Sequence, residues 1–405
     1  MLTYIETKDE SKCCGCRSCE QVCPKDAVIM AKNHEGFLYP QLNEALCVNC
    51  GICEKACPIM QSPAKQKIRS IFAVQHKDEE ILKKSSSGGA FRLLADHVIE
   101  NGGCVAGCVW DENYNPIFKL AKSIPELLPM QGSKYLSSNT LNVYSKVEKE
   151  LKGGKTVLFT GAPCQCAGLL KYLKKPYDNL ITADFLCHGM PSQEIFDRYL
   201  DSIEKKHGIS THNTRTLSSY SFRDKEKRGW GLVTSYTYKK NGKLRKHYNV
   251  GLTDTYDYGF LSGYFNRYSC YSCPFRGAER FTDFTFCDYW GIERFIPDKF
   301  DPTKGCSALS VNSAAAEVII EQLKDKAIFE KTQIENVAQD NSTLVHTENE
   351  NVPELRREIY TLLKNNSWKP IARKHLRPKK YIIKRIWYSL PVGLAKKIKK
   401  VIKVK

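Results

Sequence analysis

Eight cysteines within the first 58 residues repeat one spacing twice. Each copy reads Cys-x2-Cys-x2-Cys-x3-Cys-Pro, so three closely spaced cysteines are followed by a fourth that precedes a proline. The first copy is Cys13, Cys16, Cys19 and Cys23, and the second is Cys47, Cys50, Cys53 and Cys57. Bacterial proteins with two [4Fe–4S] clusters use this spacing, and the fourth cysteine of each copy then binds the cluster of the other copy. The pattern therefore predicts two clusters in a ferredoxin-type unit.

The ligand assignment follows from this exchange of fourth cysteines. We assign Cys13, Cys16, Cys19 and Cys57 to one cluster, and Cys47, Cys50, Cys53 and Cys23 to the other. A disulfide framework and zinc sites are the alternatives, but zinc ligands usually occur as two separated pairs of residues. Cys14 lies outside the pattern, and we interpret it as a bystander rather than a ligand.

Four later cysteines have settings typical of ligands. Cys164 lies between a predicted strand and a predicted helix, Cys187 ends the next predicted strand, and Cys270 and Cys273 form a Cys-x2-Cys-Pro pair. In α/β proteins, binding sites gather at the carboxyl ends of strands. These cysteines could bind a third [4Fe–4S] cluster, while a redox dithiol, a zinc site or buried cysteines remain open. Other cysteines in apolar or helical segments are interpreted as packing residues: Cys104, Cys108, Cys166, Cys287 and Cys306.

Two glycine-containing segments have the composition of cofactor-binding loops. Residues 85–90, Ser-Ser-Ser-Gly-Gly-Ala, precede a predicted helix. Glycines allow a ligand to approach the backbone closely and a helix N-terminus favours an anion, which suits a flavin phosphate. Residues 131–135, Gln-Gly-Ser-Lys-Tyr, add a cation and an aromatic ring. The plain alternatives are a helix cap for the first segment and a surface turn for the second.

The composition places the positive charge at one end of the chain. The 405 residues carry a formal net charge of +18, but residues 359–405 contain 15 Lys and Arg and no Asp or Glu, which leaves +3 for the rest. Without a basic patch on a recognisable module, we expect no nucleic-acid partner. No signal peptide and no run of 18 apolar residues are found, so we expect a cytoplasmic protein without a spanning helix. Eighteen cysteines in a reducing compartment indicate metal ligation rather than disulfides.

The order of the motifs predicts an α+β protein in three parts. Residues 1–62 form a small ferredoxin-like two-cluster domain, residues 63–345 a larger α/β flavin and iron–sulfur domain, and residues 346–405 a basic helical C-terminal tail. Apolar runs predict strands at 70–75, 104–110, 156–160 and 180–186, which alternate with helical patterns at 90–100, 141–151, 165–173 and 193–204. Residues 232–238 and 244–250 flank an Asn-Gly turn and are predicted to form a hairpin.

The tail contains two amphipathic stretches. Apolar residues recur at helical spacing among lysines and arginines: Ile382, Ile383, Ile386, Trp387 and Leu390, and then Leu394, Ile398, Val401 and Ile402. An apolar stripe, a basic face and a tryptophan are typical of a helix that lies on a membrane. We therefore expect the tail to bind the anionic cytoplasmic surface of the membrane. A solvated tail and a helix docked on an acidic partner are the alternatives.

Eight short motifs in order resemble the coenzyme F-420 hydrogenase/dehydrogenase beta-subunit family over roughly residues 68–315. They lie at 86–91, 131–135, 161–165, 184–189, 222–225 with 229–230, 270–275, 288–291 and 305–307. The resemblance implies a protein that binds FAD and an iron–sulfur cluster, and a ferredoxin fusion is common in the family. It implies cluster ligands at Cys164, Cys187, Cys270 and Cys273, and flavin contacts at Ser87, Gly88, Gly89 and Lys134. The family often has glycine where this chain has Cys287.

Together these parts predict an iron–sulfur flavoprotein oxidoreductase. A flavin joins one-electron carriers to hydride chemistry, so electrons would pass between the clusters and a small-molecule substrate, either a deazaflavin or a polysaccharide-pathway intermediate. A redox partner protein or ferredoxin would exchange electrons with the clusters. His188 is a candidate acid/base or a hydrogen-bond partner of a cluster sulfur, and Arg223, Lys225 and Arg276 are candidate anion-binding residues. The alternative is an electron-transfer subunit that docks on a separate enzyme and has no substrate of its own. An iron–sulfur regulator is disfavoured because no helix-turn-helix is found.

Overall fold

The N-terminal unit keeps the 34-residue repeat of the sequence in its structure. The computed structural model describes residues 3–210, 215–344 and 350–390. In its first part, two short helices that each contain the third cysteine of a copy lie 34 residues apart, and each begins after a residue with positive φ. An antiparallel hairpin lies between them. The elements are α1 (Tyr4–Thr7), α2 (Ser18–Gln21), β1 (Val28–Lys32), β2 (Leu38–Leu42) and α3 (Ile52–Lys55).

An eight-stranded mixed sheet forms the centre of the body, in the order β13-β3-β12-β11-β7-β6-β4-β5. The first half of the body supplies β3 (Ser70–His76), α4 (Glu79–Lys84), α5 (Ala90–Glu100), β4 (Cys104–Trp110), β5 (Pro116–Ala121), α6 (Ile124–Leu127), α7 (Val143–Lys152), β6 (Val157–Thr160), α8 (Pro163–Leu173), β7 (Leu180–Phe185) and α9 (Gln193–His207). The predicted strands and helices of this half are confirmed, with small differences at their ends.

The second half of the body adds a separate three-stranded sheet and completes the large one. Its elements are β8 (Leu217–Ser221), β9 (Val233–Lys240), β10 (Lys243–Val250), α10 (Thr255–Leu261), β11 (Phe284–Asp288), β12 (Ser307–Val311), α11 (Ala314–Glu321), β13 (Ala327–Thr332) and α12 (Ile334–Ala338). The predicted hairpin is confirmed as β9 and β10. Short 3-10 turns lie at Glu10–Lys12, Leu128–Met130, Gly251–Thr253, Tyr268–Cys270, Ile292–Arg294 and Ser342–Leu344.

The direction of the strands decides where the site lies. Strands β4, β6, β7 and β11 are parallel, and β3 runs the same way because it is antiparallel to β12, which is antiparallel to β11. The carboxyl ends of these five strands therefore meet at one edge of the sheet. Ligands of α/β proteins bind outside this edge.

The C-terminal region differs from the predicted tail. Helices α13 (Glu354–Asn365) and α14 (Trp368–His375) pack into the aromatic core beside α9 and the three-stranded sheet, and Ile359, Trp368 and Leu376 are buried there. Helices α13 and α14 therefore belong to the body, because their apolar faces pack into its core. The predicted boundary at residue 346, where a separate tail would begin, is wrong for these two helices. A last helix, α15 (Tyr381–Ser389), follows, and the second amphipathic stretch, residues 394–402, lies outside the described residues.

Candidate functional site

The cysteines of the two copies converge as the exchange of fourth cysteines requires. Cys19 lies near Cys13 and Cys57, and Cys53 lies near Cys23. Burial raises the pKa of the Cys57 thiol to about 11, and the neighbouring sulfurs of Cys14 and Cys13 add to this effect. A buried group of thiols favours metal ligation, because binding iron removes the protons that burial otherwise retains. The grouping fits the proposed ligand sets.

The second copy faces solvent, whereas the first faces the body. Cys50 is exposed, and the loop around it exposes the apolar side chains of Leu46 and Val48. Cys16 is buried against the body. One cluster site is therefore at the surface and the other is at the contact with the large sheet.

Buried polar contacts fix the first copy on the body. Arg267 Nε donates to the carbonyl oxygen of Cys13 at 2.5 Å, its Nη2 lies 3.4 Å from Cys13 Sγ, and its guanidinium lies 3.8 Å from the centre of the Tyr39 ring. From the opposite side, Tyr144 Oη donates to the carbonyl oxygen of Cys16 at 2.9 Å. A cation beside a ligand sulfur stabilises the negative charge of a reduced cluster.

The four later cysteines line one small cavity at the carboxyl edge of the sheet. Cys164 is the second residue of α8, Cys187 follows β7, and Cys270 and Cys273 lie in the loop before β11. Burial raises the pKa of the Cys187, Cys270 and Cys273 thiols, and that of Cys164 is raised by its interaction with the Cys14 thiol and then by burial. Fold topology thus joins three distant segments of sequence at a single site.

Two arginines and two residues of the N-terminal unit complete this cavity. Arg276 and Arg280 lie in its wall, and their positive charges oppose the rise in the pKa of Cys187. Cys14 and Ile59 reach it from the N-terminal unit. Cys14 therefore contacts a site that the sequence pattern did not connect with it.

The spacing of the thiols bears on the zinc alternative. Among the described residues, no three His, Cys, Asp or Glu side chains approach closely enough to hold a single metal ion. Four zinc ligands would each lie about 2.3 Å from one ion. The third cluster and the zinc site therefore both stay predictions for these four cysteines.

A second cavity, of about 300 Å³, opens beside the first at the same edge of the sheet. Both predicted loops line it and are hydrogen-bonded to each other. The backbone N–H of Ser133 donates to Ser86 Oγ at 2.7 Å, and Gln131 Nε2 donates to Ser85 Oγ at 2.8 Å. The two segments, which are 40 or more residues apart in the chain, thus form one wall.

The predicted flavin contacts do not all face this cavity. Ser87, Gly89 and Lys134 line it, and Gly89 has φ of +87° where α5 begins. Gly88 instead packs against the sheet, where an added Cβ would lie 2.1 Å from the carbonyl oxygen of Val74. The Ser87 hydroxyl donates to the carbonyl oxygen of Cys306 at 2.8 Å.

Two polar side chains point to a ligand in this cavity. Arg223 is buried, and its Nη1 donates to Asp288 Oδ2 at 2.6 Å and to Tyr135 Oη at 3.0 Å, while its Nη2 has no hydrogen-bond partner within the described part of the chain. His188 lies in the same wall, and burial lowers its pKa although Asp288 opposes this. An unpaired buried donor costs free energy that a bound acceptor would restore. A ligand with a hydrogen-bond acceptor would therefore suit this wall of the cavity.

Lys225 and Trp230 have roles that sequence reasoning did not assign. Lys225 Nζ donates to the carbonyl oxygens of Leu82 at 2.8 Å and Ser87 at 2.6 Å, and Trp230 Nε1 donates to the carbonyl oxygen of Ser86 at 3.1 Å. Both residues hold the serine–glycine loop in place rather than facing an anion. Their only sequence signal is their place in short motifs.

The two cavities share a wall. Leu186, Cys187, Gly189 and Met190, which follow β7, line both of them. A group bound by the cysteines and a group bound by the serine–glycine loop would therefore be separated by this one segment. The arrangement suits electron transfer between them.

Helix α15, the last helix that the structure describes, exposes an apolar stripe. Ile382, Ile383 and Ile386 are 71%, 63% and 59% exposed. A cavity beside this helix is lined by many basic side chains, among them Lys206 and Arg385. Over the ranges that the structure describes, every helix is too short or too polar to cross a bilayer.

Comparison with known proteins matches three segments of the chain. Residues 71–145 match the N-terminal part, and residues 154–337 the C-terminal part, of the coenzyme F420 hydrogenase/dehydrogenase beta subunit. Residues 12–60 match a 4Fe-4S dicluster domain. No curated protein shows significant similarity. Among solved structures, the F420-reducing [NiFe] hydrogenase complex from Methanosarcina barkeri contains a chain that is 16% identical, with 74% of this chain and 94% of that chain covered and a TM-score of 0.43.

Proposed function

Because the chain belongs to the coenzyme F420 hydrogenase/dehydrogenase beta-subunit family, we propose that it is a flavin-dependent oxidoreductase with three iron–sulfur clusters. At the coarser level it is an iron–sulfur electron-transfer protein of that family. The observation that carries the finer proposal is the wall shared by the four-cysteine cavity and the large cavity. Electrons would pass from the N-terminal unit through the four-cysteine site to a flavin and its substrate.

The cysteines would hold the clusters as the sequence pattern predicts. Cys13, Cys16, Cys19 and Cys57 would bind the inner N-terminal cluster, and Cys47, Cys50, Cys53 and Cys23 the outer one. Cys164, Cys187, Cys270 and Cys273 would bind the third. Arg267 beside the inner set, and Arg276 and Arg280 beside the third, place positive charge next to ligand sulfurs. Such contacts favour the reduced state of a cluster.

The large cavity would hold FAD. A bound flavin exchanges electrons singly with iron–sulfur clusters and in pairs with organic substrates. Gly89 keeps the N-terminus of α5 open to a phosphate, and Lys134 lies across the same cavity. Arg223 Nη2, which has no hydrogen-bond partner among the described residues, would donate to a polar atom of the cofactor or substrate, and His188, whose pKa burial lowers, would accept or donate a proton.

The outer cluster site is the proposed docking point for a redox partner protein or ferredoxin. Its loop is exposed and carries the apolar side chains of Leu46 and Val48 around Cys50. Interfaces of transient redox pairs are small, so a few apolar contacts suffice. The substrate would be a deazaflavin or an intermediate of a polysaccharide pathway, and it would enter from the cavity that contains His188.

Cofactor analysis of the anaerobically purified chain tests this proposal. We expect about twelve irons, on the arithmetic of four per cluster, and one FAD per chain. Reduced coenzyme F420 serves as a probe donor, and bleaching of the flavin and cluster absorbance would show turnover. Full clusters without flavin, even after addition of FAD, would instead support an electron-transfer subunit that docks on a separate enzyme. Eight irons in a fully loaded sample would remove the third cluster.

We also propose that α15 places the protein on the cytoplasmic face of the membrane. Its exposed isoleucines would enter the interface, and the basic side chains beside it would meet anionic headgroups, each cation being worth about 1 kcal/mol there. Co-sedimentation with anionic and with neutral vesicles tests this. Binding to anionic vesicles that is lost when residues 379–405 are removed supports it, and a full-length chain that ignores both vesicles at low salt contradicts it.

A further inference from the structure

A basic cavity lies outside the two cavities of the proposed redox site. It has a volume of about 1100 Å³ and is bounded by α9, by the hairpin of β9 and β10 and by the C-terminal helices α14 and α15. Small-molecule sites usually enclose about 300–1,000 Å³, so this cavity has room for an organic ligand. None of the described residues that line it also lines one of the other two cavities.

The walls of this cavity carry far more positive than negative charge. Eight lysines and arginines line it, from three separate segments of the chain: Arg198, Lys205 and Lys206; Lys227 and Arg228; and Lys369, Arg377 and Arg385. The two carboxylates in the walls already have partners. Asp201 pairs with Arg215 at 2.5 Å, and the buried Asp254 accepts hydrogen bonds from Tyr199 Oη and Asn249 Nδ2.

Half of these cations lack a negative partner. Four of them form no salt bridge with any described residue: Lys205, Lys206, Lys369 and Arg385. Like charges around one volume repel one another, and the repulsion is stronger where water is partly excluded. A bound anion would offset this repulsion, and a group of several cations suits an anion with several negative charges.

Aromatic rings hold two further cations at the rim of the cavity. Lys227 Nζ lies 5.4 Å from the centre of the Tyr248 ring, and the Arg377 guanidinium lies 4.6 Å from the centre of the Tyr381 ring. All four of these side chains line the cavity. A cation–π contact restricts where a cation lies but leaves its charge in place. These two cations therefore remain available to an anion in positions that the fold has already set.

Helix α14 begins in the same wall. Its cap residue Ser367 and its first two residues, Trp368 and Lys369, line the cavity. Ser367 makes no side-chain cap, and the first turn contains no acidic residue. A lysine there adds positive charge to the positive end of the helix dipole, which is unfavourable. An anion in the cavity would offset this cost together with the repulsion among the other cations.

We propose that this cavity binds a small organic ligand that carries a diphosphate. Lysine and arginine side chains bind phosphate oxygens, and a diphosphate presents several negative charges that cations from all three segments would contact together. Two sources share this chemistry. The aromatic side chains of the walls would stack on the base of a soluble nucleotide, whereas the exposed isoleucines of α15 would contact the chain of a lipid-linked diphosphate. Binding forms and breaks no covalent bond and requires neither iron nor flavin.

The test measures binding by isothermal titration calorimetry to the full-length protein, purified anaerobically. The probes are inorganic pyrophosphate, ADP and geranyl diphosphate, and succinate serves as a dianion without phosphate. The variant Lys206→Gln/Lys369→Gln removes two cations from the walls. Its matched control, Lys331→Gln/Arg357→Gln, removes two cations that lie outside the cavity. All four side chains are exposed, so iron content and the urea midpoint should match the unmodified protein in both variants.

We expect the unmodified protein and the control variant to bind the diphosphates equally well, and Lys206→Gln/Lys369→Gln to bind them at least about tenfold more weakly. Tighter binding of ADP than of pyrophosphate would identify a soluble nucleotide, and tighter binding of geranyl diphosphate a lipid-linked ligand. Equal affinity for all three would show that the phosphates alone are recognised. The proposal is overturned if no diphosphate binds, if succinate binds as tightly as pyrophosphate, or if the two double variants bind equally. Because iron and flavin are measured separately, these results do not depend on the proposed redox function.

Discussion

Replacing Arg356 with methionine should weaken the attachment of the N-terminal unit to the body. Arg356, on α13, pairs through both terminal nitrogens with the Glu35 carboxylate of the N-terminal unit, at 2.9 and 2.5 Å. The two side chains are 0% and 4% exposed. Arg356 Nε also donates to the carbonyl oxygen of Asn266 at 2.7 Å, and its guanidinium stacks 3.8 Å from the centre of the Tyr268 ring.

The burial of this pair sets the size of the effect. Methionine leaves the Glu35 carboxylate without its partner in a site closed to water, and removal of one member of a buried pair costs about 3–5 kcal/mol. With a slope of about 3 kcal/mol per molar urea, the unfolding midpoint should fall by about 1–2 M. Because Glu35 supplies the uncompensated charge, the double variant with Glu35→Gln should recover part of this loss.

An exposed pair of the same kind provides the control. Arg198 and Glu194 on α9 are 2.8 Å apart, but their side chains are 40% and 43% exposed. Arg198→Met should therefore cost about 0.2–1 kcal/mol. Urea unfolding of the anaerobic protein, followed by cluster absorbance and tryptophan fluorescence, measures both variants. If Arg356→Met lowers the midpoint no more than Arg198→Met does, the buried pair does not hold the unit in place.

Three further predictions address the cofactors and the loop that would hold the flavin. Replacing both Cys270 and Cys273 with serine should lower the iron content from about twelve to about eight and leave the N-terminal cluster signals intact, whereas retention of all the iron would exclude these ligands. Gly89→Val should abolish flavin binding but not iron binding, because a side chain at φ of +87° strains the loop and its Cβ would lie 2.9 Å from His76 Cβ, which displaces the loop that lines the cavity. Gly154→Val, at φ of +80° with open space around it, controls for the backbone strain, and equal flavin content in both variants would contradict the assignment. Burial and the nearby Arg223 lower the pKa of Lys225 to about 7 from its ordinary 10.5, so the unfolded chain keeps a proton that the folded chain releases. Unfolding free energy should therefore rise with pH between about 7 and 10.5, and the Lys225→Met variant should show a smaller rise across that range; parallel curves for the two proteins would refute the shift.

The body shows where sequence reasoning succeeds and where it ends. Strand β4 and helix α5 were predicted with the bounds that the structure has, because an apolar run and a helical pattern are local signals. Strands β11 and β12 were not predicted, and neither was the strand order that places them between β7 and β3, since that order joins segments far apart in the chain. The C-terminal helices were predicted to be part of a tail because residues 359–405 contain 15 Lys and Arg and no Asp or Glu, although the apolar faces of α13 and α14 complete the aromatic core.

The sequence by itself determined the chemistry of the N-terminal unit and the family of the body. Cysteine spacing is enough for the first, because three ligands within one short loop must bind together whatever surrounds them. Only the tertiary structure decided which distant residues meet. Cys14 looked like a bystander in the sequence, yet packing of the first cysteine loop on α8 brings it into the wall of the cavity that Cys164 also lines. Gly88 and Gly89 are adjacent and chemically identical, but only Gly89 lines the cavity, while Gly88 packs against the carbonyl oxygen of Val74 in the sheet. Such differences arise from the surroundings of a residue in three dimensions, which no local pattern contains.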